Sequence, residues 1–503
     1  MEITAPAAWS YSVFCHADLK HGARTKRLIR IGAALARAPA ASLPTIFPDP
    51  HQLKATYRFL ANRSVTHARI LRAAVQDALE RCAAFPKVLL LADTSELDFS
   101  HLPETRALGH IGDGRGRGML FHSVLATTTD GAQVLGVLEQ KVWIRRTFKN
   151  LHKQSTYARR GRTRESERWS QCARSAARRV RDALESPPAM VLVTDREGDI
   201  FALYADCVED ELGFVIRVAQ KHRALVRGGP EEAGRVWDAA VGAPVVARKG
   251  VEVPHGPGRA TRRAQVEVRA APVTLRPPAG LTARYDAVPT HVVLVQEVNA
   301  PPGVEPLEWC LLTSEPVDTA EHVLEVVRMY ESRWLLEEFH MGVKTGCGME
   351  SRQLQTGHGL RNLLAIVSPI ACQLLRLRRE LTGEGVEVWA DVAVKHSAPL
   401  AAREVGEETR DLVQRALADA VLVTGSGTGE TVDPERLAVV RAAAGRAPVL
   451  VASGASVAGL PALVKLCDGV IVGSALRADG RAGGAVDGDA ARRFATAFRA
   501  AFA

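Results

Sequence analysis

Two short apolar runs, each reaching an aspartate, constrain this chain most. Lys87 to Phe99 reads KVLLLADTSELDF and Met190 to Asp195 reads MVLVTD. Consecutive Leu and Val without polar alternation fit strands buried on both faces, as in the middle of an α/β sheet. In such sheets sites assemble at the carboxyl ends of strands. Asp93 and Asp195 are therefore candidate site residues at strand ends. Either aspartate alone would be read as an N-cap or a turn residue.

A third carboxylate lies in Tyr330-Glu-Ser-Arg-Trp-Leu-Leu-Glu-Glu-Phe-His-Met-Gly-Val-Lys344, after the proline-free run Thr319 to Met329. A helix turns about 100° per residue, so Arg333, Glu337 and Lys344 fall within an arc of about 40°, with Tyr330 about 20° beyond it. One straight helix would then present a phenol, a guanidinium, a carboxylate and an ammonium on one face. Leu335, Leu336, Phe339 and Val343 give it an apolar side to bury. A solvated ion-paired face is the plain alternative. Together with Asp93 and Asp195, however, Glu337 makes three carboxylates, enough to hold one or two Mg²⁺ ions, with Mn²⁺ as a substitute. Arg and Lys beside them suit phosphate oxygens.

Charge points the same way. The 503 residues carry a formal charge of +9, which favours a polyanionic partner. Residues 381–503 hold 13 Lys+Arg against 15 Asp+Glu, so the basic excess belongs to the earlier part. Between Arg145 and Arg181 there are 13 basic residues and two acids, Glu165 and Glu167. The eight cysteines form no C-x-x-C pair, which fits reduced thiols rather than a zinc site or a disulfide framework. Met1-Glu2 opens no apolar signal region. With no run of 18 apolar residues expected to span a membrane, the expected location is cytoplasmic, with the nucleoid.

In order, residues 1–82 read as helices. Arg24, Lys26, Arg27, Arg30, Lys54 and Arg58 lie on their surfaces as candidate DNA contacts. Residues 83–219 hold the two buried strands, further strands at Phe121–Thr128, Val134–Trp143 and Gly213–Val218, and helices. Residues 220–312 alternate Val and Thr with Arg and are punctuated by Gly and Pro, an antiparallel β insertion. Residues 313–381 hold the acid-bearing helix and another after it.

The segment Trp9 to Leu381 resembles the cut-and-paste DDE transposases of bacterial insertion sequences. The resemblance rests on Ala55-Thr-Tyr-Arg-Phe-Leu-Ala-Asn62, Asp93-Thr-Ser, His122-Ser-Val-Leu, Asp195-Arg-Glu-Gly-Asp-Ile, Pro306 to Pro316, and the ungapped Tyr330, Arg333, Glu337, Lys344 spacing. It implies an N-terminal DNA-binding domain and an RNase H-like core interrupted by a β insertion. It further implies Asp93, Asp195 and Glu337 as the Mg²⁺ triad, and Tyr330, Arg333 and Lys344 on transposon-end phosphates. Trp309 would stack on a flipped base, although a strand-core indole is the alternative. The partners implied are double-stranded DNA, at transposon ends and target, and a second copy for synapsis. The reaction implied is strand cleavage through a hairpin, then strand transfer.

After Leu381 that resemblance stops. Val386 to Pro399, Ala420 to Gly429, Pro448 to Ala455 and Gly469 to Leu476 are apolar runs, each followed by a helical stretch, a parallel (β/α)₄ pattern. Thr424-Gly-Ser-Gly-Thr-Gly lacks the lysine of a P-loop. Ser453-Gly454 and Gly473-Ser474 resemble the phosphate-binding end of a (β/α)₈ barrel. Val394-Lys-His-Ser-Ala-Pro-Leu400 and Thr424 to Gly429 are similar to the BtpA family of barrel proteins, linked to photosystem I biogenesis. Residues 382–503 would then be half of such a barrel. The expectation is a transposase fused to a half-barrel. The alternatives are an impaired DNA-binding remnant lacking its usual pairing segment, or a BtpA-like protein with a vestigial front.

Overall fold

The computed structural model describes residues 5–145, 165–226, 234–253, 262–383, 388–392, 404–414, 418–425, 431–445, 447–478 and 485–502. Part of the basic 145–181 segment, the Lys395–Leu400 stretch and most of the Gly-Ser-Gly-Thr-Gly run lie outside these residues. Contacts divide the chain into two units. One comprises residues 1–251 with 263–379, the other 252–262 with 380–503.

The first unit opens with five helices: α1 (Pro6–Phe14), α2 (Gly22–Arg37), α3 (Leu43–Ile46), α4 (Pro50–Ala61) and α5 (His67–Cys82). Local sequence explains their starts. Ser42, Asp49 and Thr66 each accept an amide from the first turn of the helix that follows, satisfying donors that a helix start leaves open. Phe14, Leu28, Ile31, Leu35, Leu60 and Ile70 are buried between them.

The main sheet contains β1 (Lys87–Asp98), β2 (Gly109–Ile111), β3 (Gly116–Thr127), β4 (Val134–Trp143), β5 (Ala189–Thr194), β6 (Gly213–Arg217), β7 (Val245–Val253), β8 (Arg262–Leu275), β9 (Val288–Glu297) and β10 (Glu308–Thr313). The order is β2-β3-β1-β5-β6-β10-β9-β8-β7, with β4 also on β3. β1, β5 and β6 are parallel, while β3 and β4 fold back as an antiparallel meander. α6 (Glu167–Ala183) and α7 (Phe201–Glu209) belong to the same unit. Leu89, Leu90 and Leu91 are wholly buried, as a two-sided strand requires.

Strands β7 to β10 lie in the stretch read as an antiparallel β insertion. β10 pairs antiparallel with β6, Leu311 opposite Arg217, and β9 pairs with β10. The insertion therefore continues the main sheet, because β6 would otherwise present an open ladder edge. It also contains a helix, α8 (Val236–Gly242).

The acid-bearing region follows as α9 (Ala320–Glu331), α10 (Trp334–Met341), a π turn at Gly342–Gly346, and α11 (Gly357–Gly383). α11 is long and apolar enough to cross a membrane, with mean hydropathy 1.3 over its apolar window, but 72% of that window is buried within the protein. Its Arg376 donates to the Val134 and Leu135 carbonyls, both at 2.9 Å.

The second unit contains a four-stranded parallel sheet in the order β11 (Trp389–Val392), β12 (Ala420–Val423), β13 (Val449–Val451) and β14 (Gly469–Val470). Helices α12 (Val405–Gln414), α13 (Pro434–Ala444), α14 (Leu460–Leu463) and α15 (Gly488–Phe502) alternate with these strands or follow them. Val421, Val423, Leu437, Val440 and Val449 form its core. Among the described residues β11 and β14 each pair on one side only.

Candidate functional site

β1 and β5 run in parallel register as far as Ala92 opposite Thr194. Asp93 and Asp195 come next, where the two strands part. Asp93 is not at the end of its strand, contrary to expectation. β3 stays paired with β1 from Asp93 opposite Ser123 to Asp98 opposite Gly118, so the antiparallel neighbour holds the backbone extended after the parallel one has left. Asp195 lies just beyond β5. Its carboxylate accepts the Glu197 amide at 2.8 Å and caps a short 3₁₀ turn. The following Gly198 permits a close approach, since a Cβ there would lie 2.1 Å from Thr194 Oγ1.

The single straight helix expected over Tyr330–Lys344 is broken twice. Ser332 Oγ donates to the Arg328 carbonyl at 3.1 Å, a side-chain bond that bends helices. The next amides tighten: Arg333 to Tyr330 and Leu335 to Ser332, each at 3.0 Å. The turn between β3 and β4 seats against this bend. Gly131, at φ +68°, would place a Cβ 2.7 Å from Ser332 Oγ. The second break is the π turn, which carries Lys344. Leu335, Leu336 and Phe339 are fully buried, worth about 1.5–3 kcal/mol each, and fix α10 against the sheet.

The four polar residues therefore do not share one open face. Tyr330 is buried at 4% exposure, and burial raises its pKa against the opposing influence of the nearby Arg217 and Arg333. Trp309 is half-buried and meets Tyr330 edge-on, ring centroids 5.1 Å apart. Arg333 lies 3.0 Å from Glu337 and 3.9 Å from Asp93. Its guanidinium bridges two of the acids and is not presented to solvent. Lys344 is half-buried.

The structure brings Asp93 and Glu337 together, with Asp195 close by. Burial raises the Asp93 pKa to about 7, and the charges of Asp195 and Glu337 add to the effect, against the Thr94 amide and Arg333. Burial opposes the charge on Arg333, yet Tyr330, Glu337 and Asp93 outweigh it and raise its pKa. Glu337 is more open, its side chain 42% exposed. Such a set is under-neutralised and suits a divalent cation.

Sequence reasoning missed His340. One ligand atom each of Asp93, Glu337 and His340 lie within 4.8 Å of one another. Burial drives the His340 pKa down to about 3, helped by Lys344, His122 and Arg333, so its ring is neutral. The signal was available as Glu337-x-x-His340, a spacing that puts both side chains on one helix face and recurs at bundle metal sites. Sequence reasoning also missed the anchor under Asp195-Arg-Glu-Gly-Asp. Asp199 pairs with Arg223, accepts the Tyr204 hydroxyl at 2.9 Å, and accepts the Ala219 and Gln220 amides at 2.8 and 2.7 Å.

At the amino-terminal helices, Lys26, Arg30, Lys54 and Arg58 are exposed, while Arg24 and Arg27 are half-buried. Arg24 donates to the Leu19 carbonyl at 2.9 Å and Arg27 to Gln52 at 2.6 Å. Those two brace the helices; the exposed four form the open basic surface.

Comparison with known proteins separates the two ends of the chain. Residues 6–65 match the family described as Transposase DNA-binding. Residues 364–500 match the BtpA family, a match that begins within α11. An uncharacterised protein of Thermococcus kodakarensis is 41% identical over 128 residues, 25% of this chain and 48% of that protein. The photosystem I biogenesis protein BtpA of Synechocystis sp. is 38% identical over 117 residues, 23% of this chain and 40% of that protein. An uncharacterised protein of Methanocaldococcus jannaschii is 35% identical over 128 residues, 25% and 48% respectively. The chain spans less than half the length of these curated relatives. It carries a transposase DNA-binding segment near its amino end and a BtpA-family segment at its carboxyl end.

Proposed function

We propose that this chain is a DDE transposase, a divalent-cation-dependent enzyme of phosphoryl transfer on DNA. The carrying observation is the meeting of Asp93, Glu337 and Asp195 where β1 and β5 part, with a transposase DNA-binding segment in the same chain. The strand order β4-β3-β1-β5-β6, a meander followed by two parallel strands, supports an RNase H-like core. The cofactor would be Mg²⁺ or Mn²⁺, held by Asp93, Glu337 and Asp195. The buried carboxylate of Asp93 and the repelling charge of the more open Glu337 beside it fit such an ion. A bound divalent ion supplies charge stabilisation and lowers the pKa of a hydroxyl or water attacking phosphorus.

The protein's own groups do the rest. Arg333, beside the acids, and Lys344, near His340, would be donors for phosphate oxygens; Arg333 must let go of Glu337 to reach one. Half-buried Trp309, met edge-on by Tyr330, would be the stacking platform for a displaced base. Lys26, Arg30, Lys54 and Arg58 hold the duplex by its backbone. Duplex DNA is the partner, a second copy would be needed to pair two ends, and the location would be cytoplasmic.

The test uses full-length protein and labelled duplexes tiled across the DNA flanking its coding sequence. Nicking with Mg²⁺ or Mn²⁺ that Asp93→Ala abolishes supports the reading. Binding without nicking supports the second reading, an impaired DNA-binding fusion, which the BtpA-family segment at residues 364–500 favours.

A further inference from the structure

We infer that His340 is a direct ligand in this cation site, completing a set of two carboxylates and one imidazole with Asp93 and Glu337. The resulting site favours Mn²⁺ over Mg²⁺. The inference rests on the cation site proposed above and adds to it a residue and a selectivity.

Three observations carry it. First, a ring nitrogen of His340 and carboxylate oxygens of Asp93 and Glu337 lie within 4.8 Å of one another. Opposite ligands across an octahedral shell are about 4.2 Å apart when each bond is about 2.1 Å, so small side-chain adjustments close the shell. Second, His340 is 4% exposed and its Nε2 is buried without a hydrogen-bond partner. A buried polar atom left unpaired costs about 1–3 kcal/mol, and a cation ligated by the ring removes that cost. Third, the ring is oriented by neighbours that offer it no bond. Phe121 meets it edge-on at 5.1 Å and Phe339 lies tilted against it at 5.7 Å. Glu338, the intervening acid, turns away to Arg378 at 3.3 Å.

Asp195 stays in the proposed site but stands farther out than these three. One of its oxygens is engaged by the Glu197 amide, and it is not among the three residues whose donors converge this closely. An imidazole nitrogen in place of an oxygen shifts the preference. Mg²⁺ favours oxygen ligands and keeps its waters, whereas first-row transition ions accept nitrogen readily.

Pulsed EPR on Mn²⁺ bound to the full chain tests this directly. The expected result is a ¹⁴N coupling from a directly bound imidazole, absent from His340→Gln and accompanied there by at least a tenfold loss of Mn²⁺ affinity with a smaller loss for Mg²⁺. Asp93→Asn should remove the bound Mn²⁺ signal. Three outcomes would overturn the inference: Mn²⁺ held at an Asp93-dependent site without nitrogen coupling, a coupling that survives His340→Gln, or no Mn²⁺ binding. The nicking assay separates this from the transposase reading. Nicking without the coupling defeats only the His340 assignment. The coupling without nicking leaves His340 a ligand and defeats the proposed activity.

Discussion

Asp93→Asn is the most informative substitution, because its effect on stability depends on pH in a stated way. The Asp93 side chain is 11% exposed and its pKa is raised to about 7 by burial and by Asp195 and Glu337. An unfolded aspartate titrates near 3.8. Between those values the folded state holds a proton that the unfolded state has lost, so stability falls as pH rises through this window. At about 1.4 kcal/mol per unit, the full shift costs about 4 kcal/mol above pH 7. Relaxation and solvent around the site bring the measurable penalty to about 2–4 kcal/mol. Asn keeps the shape and can accept the Thr94 amide, but carries no charge. In EDTA, Asp93→Asn should therefore melt higher than the wild type at pH 8, by roughly 4–8 °C at about 2 °C per kcal/mol. The gap should shrink to about 2 °C or less at pH 4.5, where Asp93 is protonated in the fold. Added Mn²⁺ should raise the wild-type melting temperature at pH 8 and leave Asp93→Asn unmoved. Thermal melting of the full chain across this range measures it. A gap independent of pH, or a variant less stable at pH 8, would refute the electrostatic account of the site.

Three other outcomes follow from the same geometry. Asp199→Ala leaves Arg223 buried without its carboxylate and should cost about 3–5 kcal/mol, read as a lower urea midpoint. Gly131→Ala combines a left-handed backbone with a Cβ 2.7 Å from Ser332 Oγ; it should cost about 1–3 kcal/mol and weaken cation binding by displacing α10, as isothermal titration would show. Replacing Arg30, Lys54 and Arg58 with Ala should weaken duplex DNA binding and reduce the salt slope by about 0.9 for each phosphate no longer neutralised, whereas Arg27→Ala should act through stability.

The sequence made some parts of this structure legible and hid others for physical reasons. Buried strands announce themselves by composition, so Leu89–Leu91 and Val191–Val193 were readable. The parallel runs of the carboxyl-terminal unit were readable for the same reason. Asp93 was misplaced to a strand end because periodicity reports burial, not which neighbour stays paired. β3 keeps β1 extended to Asp98, and no local signal in β1 shows that. The bend at Ser332 was hidden because its cause is one hydroxyl bonding four residues back, in a stretch whose propensities are all helical. Tyr330 reads as a surface phenol until β10 and Arg217 cover it, which is tertiary information. Joining of the β insertion to the main sheet depends on the open edge of β6, another long-range pairing. His340 is the exception: Glu337-x-x-His340 was visible and passed over in favour of lysine and arginine.

The central claim is that Asp93, Glu337 and Asp195 form a cation site that cuts DNA. The most direct measurement is cleavage of labelled flanking duplexes by full-length protein in Mn²⁺ or Mg²⁺, beside Asp93→Ala, Asp195→Ala and Glu337→Ala. The account requires strand nicks at one defined position that vanish in EDTA and in all three variants, while duplex binding survives. Wild-type protein that binds the same duplexes but leaves every strand intact, or nicks that persist without Asp93, would contradict it.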